Sequence, residues 1–218
     1  MTKPWIAHYE SHVPPTIDVP DTPLSDCLRR NALRYPKRAA LIFFDNKITY
    51  REVNDAVDRF AAGLQKLGIG KGDRVAVYMP NCPQYVIAYY GALRVGAIIV
   101  PCNPLYVARE LEHQFRDAGV KIVVTLSSFY RTVREVRARV PLEQVIVANI
   151  KDYFPPHLWA LFTLLKEKPE GHYLDLAGEE DTVWFSDFLQ AAPEVPAPVR
   201  VSMEDTACLL YTGGTTGV

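Results

Sequence analysis

Between Asp73 and Ala148 the chain repeats one unit, a short apolar run followed by a stretch with helical spacing. Asp73–Met79, Ala97–Val100, Lys121–Thr125 and Gln144–Ala148 read as strands. Between them Cys82–Val95, Ala108–Ala118 and a basic stretch through Ala138, capped by Ser127 or Ser128, read as helices. Gly96 and Gly119 supply left-handed stops for the first two. Pro80-Asn81 reads as the turn and N-cap before the first helix, which has hardly any polar face and should be buried on most sides. Strands alternating with helices across short links give a largely parallel sheet flanked by helices, joined by right-handed crossovers. This is an α/β fold, and open sheets of this kind bind ligands at the carboxyl ends of their strands.

Upstream, Ala39–Phe44 and Lys47–Tyr50 around the turn-prone Asp45-Asn46 read as a β-hairpin. Thr49-Tyr-Arg-Glu52 is a capping box, and Val53, Val57, Phe60, Ala61, Leu64 and Leu67 follow it at helical spacing up to Gly68. Prolines 4, 14, 15, 20 and 23 make the first 23 residues an extended arm. The expected order is arm and first helix over 1–38, α/β core over 39–148, an apolar helical insertion and linker over 149–200, and a strand with a phosphate loop over 201–218. A length of 218 residues with 49% hydrophobic composition can fill one substantial core. The net charge of -1 argues against a nucleic-acid partner, which calls for a basic stripe.

The last strand, Thr206–Tyr211, runs into Thr212, Gly213, Gly214, Thr215, Thr216 and Gly217. Interleaved glycines and threonines let backbone N–H groups converge on an anion while hydroxyls add donors, which suits a nucleotide triphosphate. A Walker loop does not fit, because the sixth position from Gly213 is Val218 and no lysine follows. A flexible Gly/Thr terminus is the structural alternative.

Cys27, Cys82, Cys102 and Cys208 lie far apart and form no C-x-x-C pair, so they read as small buried residues of a reducing, cytoplasmic protein with no metal site. The N-terminus leads into no apolar signal segment. His8, His12, His113, His157 and His172 offer no paired base, and no catalytic residue is assigned. Residues 150–172 break the α/β rhythm: Pro155-Pro156 opens an apolar helix, Leu158–Leu165, closed by Lys166, Glu167 and Lys168. It is shorter than the ~20 residues that span a bilayer. Two readings stand: a helix packed on the domain or on a second subunit, or an interfacial helix touching a membrane through residues 156–168.

Tyr211-Thr-Gly-Gly-Thr-Thr-Gly217 resembles the phosphate loop of the adenylate-forming (AMP-binding) enzymes, and in particular of the long-chain fatty acyl-CoA synthetases. Ile48–Val53, Lys71–Ala76, Met79–Pro83, Tyr89–Ala92, Val100–Pro104 and Arg109–His113 resemble segments of the same family in the same order, so the likeness covers nearly the whole chain. The resemblance implies an acid–thiol ligase that uses fatty acid, ATP, Mg2+ and coenzyme A, forming an acyl-adenylate and then acyl-CoA, in a homodimeric parent enzyme. It places Thr212, Gly213, Gly214, Thr215, Thr216 and Gly217 on the ATP phosphates. It also implies that most of the acyl tunnel and the mobile C-terminal domain lie beyond Val218, so the expectation is an N-terminal fragment inactive by itself. Short-chain or aryl-CoA ligases and peptide-synthetase adenylation domains share the loop. A non-catalytic interaction module and an unrelated nucleotide-binding regulator are the readings from other classes.

Overall fold

A computed structural model describes residues 3–212. The proline-rich arm carries a 3-10 turn at Pro4–His8, where Pro4 occupies the first helical position that needs no N–H, and a second turn closed by Val13 N–H donating to the Glu10 carbonyl at 2.9 Å; otherwise it has no regular structure before α1. Helix α1 (Leu24–Arg34) follows, then strands β1 (Ala39–Phe43) and β2 (Asn46–Thr49), paired antiparallel, and helix α2 (Tyr50–Lys66). The expected hairpin forms, with its turn one residue earlier than the sequence suggests. Phe44 and Asp45 carry φ of 47° and 63°, so the two-residue loop bends with the twist of the strands. The capping box of α2 is complete: Glu52 N–H donates to Thr49 Oγ1 at 3.3 Å, and Thr49 N–H donates to the Glu52 carboxylate at 2.7 Å.

The sheet consists of β3 (Arg74–Tyr78), β4 (Ile98–Cys102), β5 (Ile122–Leu126), β6 (Gln144–Ala148) and β7 (Thr182–Trp184). Its order is β4-β3-β5-β6-β7 and every neighbouring pair is parallel. Helices α3 (Pro83–Arg94), α4 (Ala108–Ala118) and α5 (Tyr130–Arg137) make the connections, while α6 (Pro156–Leu165) and the seven-residue α7 (Phe185–Ala191) flank β7 in the chain. The sequence places α3 one residue early. Cys82 is its N-cap and Pro83 its first residue, which again uses proline where the helix has an orphan position. No residue from Cys82 to Gly96 is exposed, as the missing polar face requires.

Alternate side chains of each strand go to opposite layers. Val75, Val77, Ile99, Ile122, Val124 and Ile146 meet α1, α2, α3 and α7 on one face. Ala76, Tyr78, Val100, Val123, Val145 and Val147 meet α4 and α5 on the other. A sheet covered on both sides needs strands apolar at every position, and β5 is buried along its whole length. At the tightest point of the first layer Phe60 of α2 lies fully buried against Gly91 of α3 and stacks on Phe185 with ring centroids 5.5 Å apart. Burial of such a side chain contributes about 1.5–3 kcal/mol. Arg94 is buried in the same layer and donates to Asp58 at 2.7 Å and Asn54 at 3.1 Å, an ion pair spared solvent screening.

Candidate functional site

The carboxyl ends of the central strands are tied to one another by polar side chains. Thr125 Oγ1 donates to the Tyr78 carbonyl at 3.1 Å across β5 and β3. Tyr78 Oη donates to the Tyr106 carbonyl at 2.6 Å, and Asn103 closes the intervening turn by accepting from the Leu105 N–H at 3.0 Å. Asp73 and Arg74 perform the same service at the amino ends. Asp73 accepts from the Gly70 N–H at 2.9 Å and pairs with Lys121 at 2.7 Å, while Arg74 Nε donates to the Ala118 carbonyl at 2.8 Å.

The segment leading to the Gly/Thr loop lies on the free side of β4. Ile99 N–H donates to the Ala207 carbonyl at 3.0 Å, and Leu209 N–H donates to the Ile99 carbonyl at 2.9 Å. These two bonds make a parallel bridge at Cys208, so the chain there runs in the direction of β4. The strand expected over Thr206–Tyr211 is thereby reduced to a single bridge. Its outer side has no partner strand among the described residues, Leu210 is 75% exposed, and one-sided pairing holds a short segment weakly. Beyond Leu209 the Tyr211 hydroxyl hydrogen-bonds the Asp117 carboxylate of α4. Burial first and that carboxylate second push the Tyr211 phenol above its ordinary range. Thr212 is exposed, and Gly213, Gly214, Thr215, Thr216 and Gly217 lie outside the described residues.

Ser127 and Asn149, the residues immediately after β5 and β6, join a buried polar network that the sequence reading did not foresee. Ser127 does not cap a helix: Ser127–Phe129 form a 3-10 turn, and its Oγ sits 2.8 Å from His172 Nδ1. Asn149 Nδ2 donates to Glu167 at 3.0 Å and to the His172 carbonyl at 3.3 Å, and Lys151 pairs with Glu167 at 2.6 Å. Gln84 of α3 completes it by donating to the Asn149 carbonyl at 2.8 Å. His172 is therefore a paired histidine, contrary to the expectation that none exists. Its partner is 45 residues away in sequence, so no local motif announces it. Burial lowers the affinity of the imidazole for a proton, against the opposing charges of Glu170 and Glu167. A serine beside a histidine invites a hydrolytic reading, but Glu167 is engaged by Asn149 and Lys151 and makes no hydrogen bond to the ring. The network acts as a tie, fixing the segment around α6 to the carboxyl edge of β5 and β6.

Of the four cysteines Cys82 and Cys102 are buried, and burial pushes the Cys82 thiol up to about 11. Cys27 is exposed, contrary to its reading as a core residue, because it lies on the outer face of α1. Among the described residues no group of three His, Cys, Asp or Glu side chains could hold a metal ion, and no helix is long and apolar enough to cross a membrane.

A doubly covered parallel sheet, with a strand-like segment at its edge running toward a Gly/Thr-rich sequence, defines an α/β protein of the open-sheet class, whose ligands bind at the carboxyl ends of the strands. The chain belongs to the AMP-binding enzyme family, which it matches over residues 28–218. It is similar to the long-chain-fatty-acid–CoA ligase of Bacillus subtilis (strain 168), with 37% identity over 99% of this chain and 38% of the relative. The ligase of the same name from Yersinia pestis is 38% identical over 100% of this chain and 39% of its own length. Among solved structures, a long-chain-fatty-acid-CoA ligase from Archaeoglobus fulgidus superposes with a TM-score of 0.71 at 27% identity, over 93% of this chain and 37% of that one. The anthranilate CoA ligase AuaEII, in complex with anthranoyl-AMP, shares the fold with a TM-score of 0.74 at 24% identity, over 92% of this chain and 34% of its own. The chain thus spans under two-fifths of the length of these curated relatives.

Proposed function

We propose that this chain supplies the first α/β portion and phosphate loop of an ATP-dependent long-chain fatty acid–CoA ligase. The observation that carries the reading is the parallel bridge at Cys208, which sets the sequence preceding the loop beside β4 in a sheet shared with CoA ligases. In the first reaction a fatty carboxylate attacks the α-phosphate of ATP, forming the acyl–phosphate bond as pyrophosphate leaves. In the second the thiol of coenzyme A displaces AMP. Both anions in the first step repel, and charge accumulates on the departing pyrophosphate. Backbone N–H groups of Gly213, Gly214 and Gly217 and hydroxyls of Thr212, Thr215 and Thr216 would offer donors to that charge without reorganising. Mg2+ enters with ATP as counter-charge to its phosphates.

Two measurements test this. In the longer polypeptide that carries this segment, Gly214→Val with Thr215→Val should lower fatty-acid-dependent ATP–pyrophosphate exchange by about a hundredfold or more. Exchange at the parent rate would refute the assignment. In the 218-residue chain, amide signals of 212–217 should shift on titration with Mg-ATP. The longer polypeptide is taken as cytoplasmic and as a homodimer, and sedimentation velocity checks the dimer.

For residues 156–168 we propose contact with a lipid surface. Trp159, Leu164 and Leu165 of α6 are 46%, 81% and 60% exposed, Lys166 and Lys168 follow them, and α6 carries no acidic residue. Leu164 and Leu165, with Leu161 between them on the helix surface, make one exposed apolar side of α6, while Trp159 turns toward Lys151. An apolar side followed by lysines is suited to the headgroup boundary. With Trp5 and Trp184 changed to Phe, Trp159 emission should shift to the blue on mixing with anionic vesicles. An unchanged spectrum would exclude the contact.

A further inference from the structure

From Ala197 to Thr212 no residue is buried, so the chain approaches the Gly/Thr loop without a side chain in the core. Open space lies beneath this run. A cavity of about 480 Å³ lies between Val195–Val201 and the side chains of Arg29, Asp58 and Arg94. Another of about 320 Å³ lies between residues 201–207 and the arm with the start of α1. Upstream of the bridge at Cys208, what fixes the run is therefore polar, and it comes from two side chains at the end of α2 and just before β3.

Gln65, in the last turn of α2, donates from Nε2 to the Ala197 carbonyl at 2.9 Å and accepts from the Ala197 N–H at 2.8 Å. Its amide thus pairs with that residue's backbone as a neighbouring strand would. Lys71 lies 2.6 Å from the Asp205 carboxylate and donates to the Arg200 carbonyl at 3.5 Å. The same carboxylate accepts from the Ser202 N–H at 2.7 Å, and the Asp205 N–H donates to the Ser202 carbonyl at 3.2 Å, so a tight turn presents it to the lysine. Lys71 first, and the Ser202 N–H second, hold the Asp205 carboxyl below the usual carboxylate range. Lys71 is itself fixed at the amino end of β4, because the adjoining Gly72 N–H donates to the Gly96 carbonyl at 2.9 Å. We infer that Gln65 and Lys71 are positioning residues for the phosphate loop: acting through Ala197 and Asp205, they set the register at which the run meets β4, and so where the Gly/Thr sequence is presented. The part played by the loop rests on the function proposed above, whereas the clamp itself does not.

The clamp is tested in the 218-residue chain without nucleotide, by amide hydrogen exchange. Lys71→Met and Gln65→Leu should each speed exchange at Leu209 by about threefold or more, since no buried side chain holds the run, and leave Val77 of β3 within about twofold of its parent rate. Lys71→Arg, which keeps the cation, should return Leu209 toward the parent rate. Arg59→Met, which removes the pair with Glu194 upstream of the buried Pro196, should not move it. Parent exchange at Leu209 in Lys71→Met or Gln65→Leu would overturn the role of that residue. An equal rise at Val77, or in Arg59→Met, would overturn positioning altogether. In the longer polypeptide, Lys71→Met should lower kcat for ATP–pyrophosphate exchange about threefold to tenfold with KM for the carboxylic acid unchanged, because the donors are misplaced while the acid site is untouched. Lys71→Arg should restore it. Parent kcat in Lys71→Met, with faster exchange at Leu209, would detach the clamp from the loop. Parent turnover in the Gly214→Val, Thr215→Val variant would refute the loop's role and leave the Leu209 result standing.

Discussion

Gly91 sits where α3 presses hardest on α2, and a Cβ there would lie 2.6 Å from Phe60 Cδ1 and 3.1 Å from Phe60 Cβ. The second atom is attached directly to the backbone, so rotation of the ring cannot relieve the contact. Gly91→Ala gains up to about 1 kcal/mol of helix propensity but incurs an overpacking penalty of about 1–3 kcal/mol. The expected outcome is a lower urea midpoint, and an unchanged or higher one would show that the helices can separate freely. His172 gives a second residue-scale expectation. Its folded pKa is depressed by burial, so as pH falls through the unfolded value near 6.5 the unfolded chain takes up a proton that the folded chain refuses. Stability should therefore be fully present above that pH and decline below it, by at most about 1.4 kcal/mol per pH unit. His172→Gln should start less stable, having lost the bond to Ser127, and should show a flatter slope between pH 7 and 5. Equal slopes in urea titrations would contradict the assignment.

Elements were legible wherever their signal is local. The Thr49–Glu52 box, the apolar periodicity behind it and the left-handed Gly68 are all contained in one short stretch, and α2 forms as read. Thr49→Ala removes the acceptor of the Glu52 N–H and should cost about 1 kcal/mol in chemical denaturation, with an unchanged midpoint as the opposing result. The parallel core was readable for a similar reason, since strands apolar on both faces are needed only where helices cover both. Elements whose fate depends on distant partners were not. Ser127 looks like a helix cap because serine often is one, yet tertiary contact redirects its hydroxyl to His172. The 206–211 run is strand-like in composition but has β4 on one side and no described strand on the other. For α6 the sequence showed an apolar helix, and only the structure shows which face meets the hairpin tip and which stays exposed. Of the candidate phosphate-binding residues Thr212 alone falls among those described.

Across the whole molecule, order should fall from the centre of the sheet toward the edge that carries the loop. β3 has β4 and β5 as hydrogen-bonded neighbours and both helical layers over its side chains, with Val75, Ala76 and Val77 fully buried. Its amides can exchange only when most of the fold opens. The Leu209 amide depends on one edge bond to Ile99, next to a 75% exposed Leu210, so it can open with little loss of core. Hydrogen exchange should accordingly be slowest in β3 and β5 and faster by orders of magnitude at Leu209. A ligand that binds just beyond Thr212 must reduce that opening, since binding to the ordered form alone shifts the local equilibrium by mass action. Mg-ATP is thus expected to slow exchange at Leu209 under conditions where local opening dominates there. Its effect at β3 should be no larger than the overall stabilisation that binding confers. Protection at Leu209 equal to that of Val77 without nucleotide would mean that the edge is already fixed. Protection that never responds to Mg-ATP would detach the terminal loop from the phosphate role proposed for it.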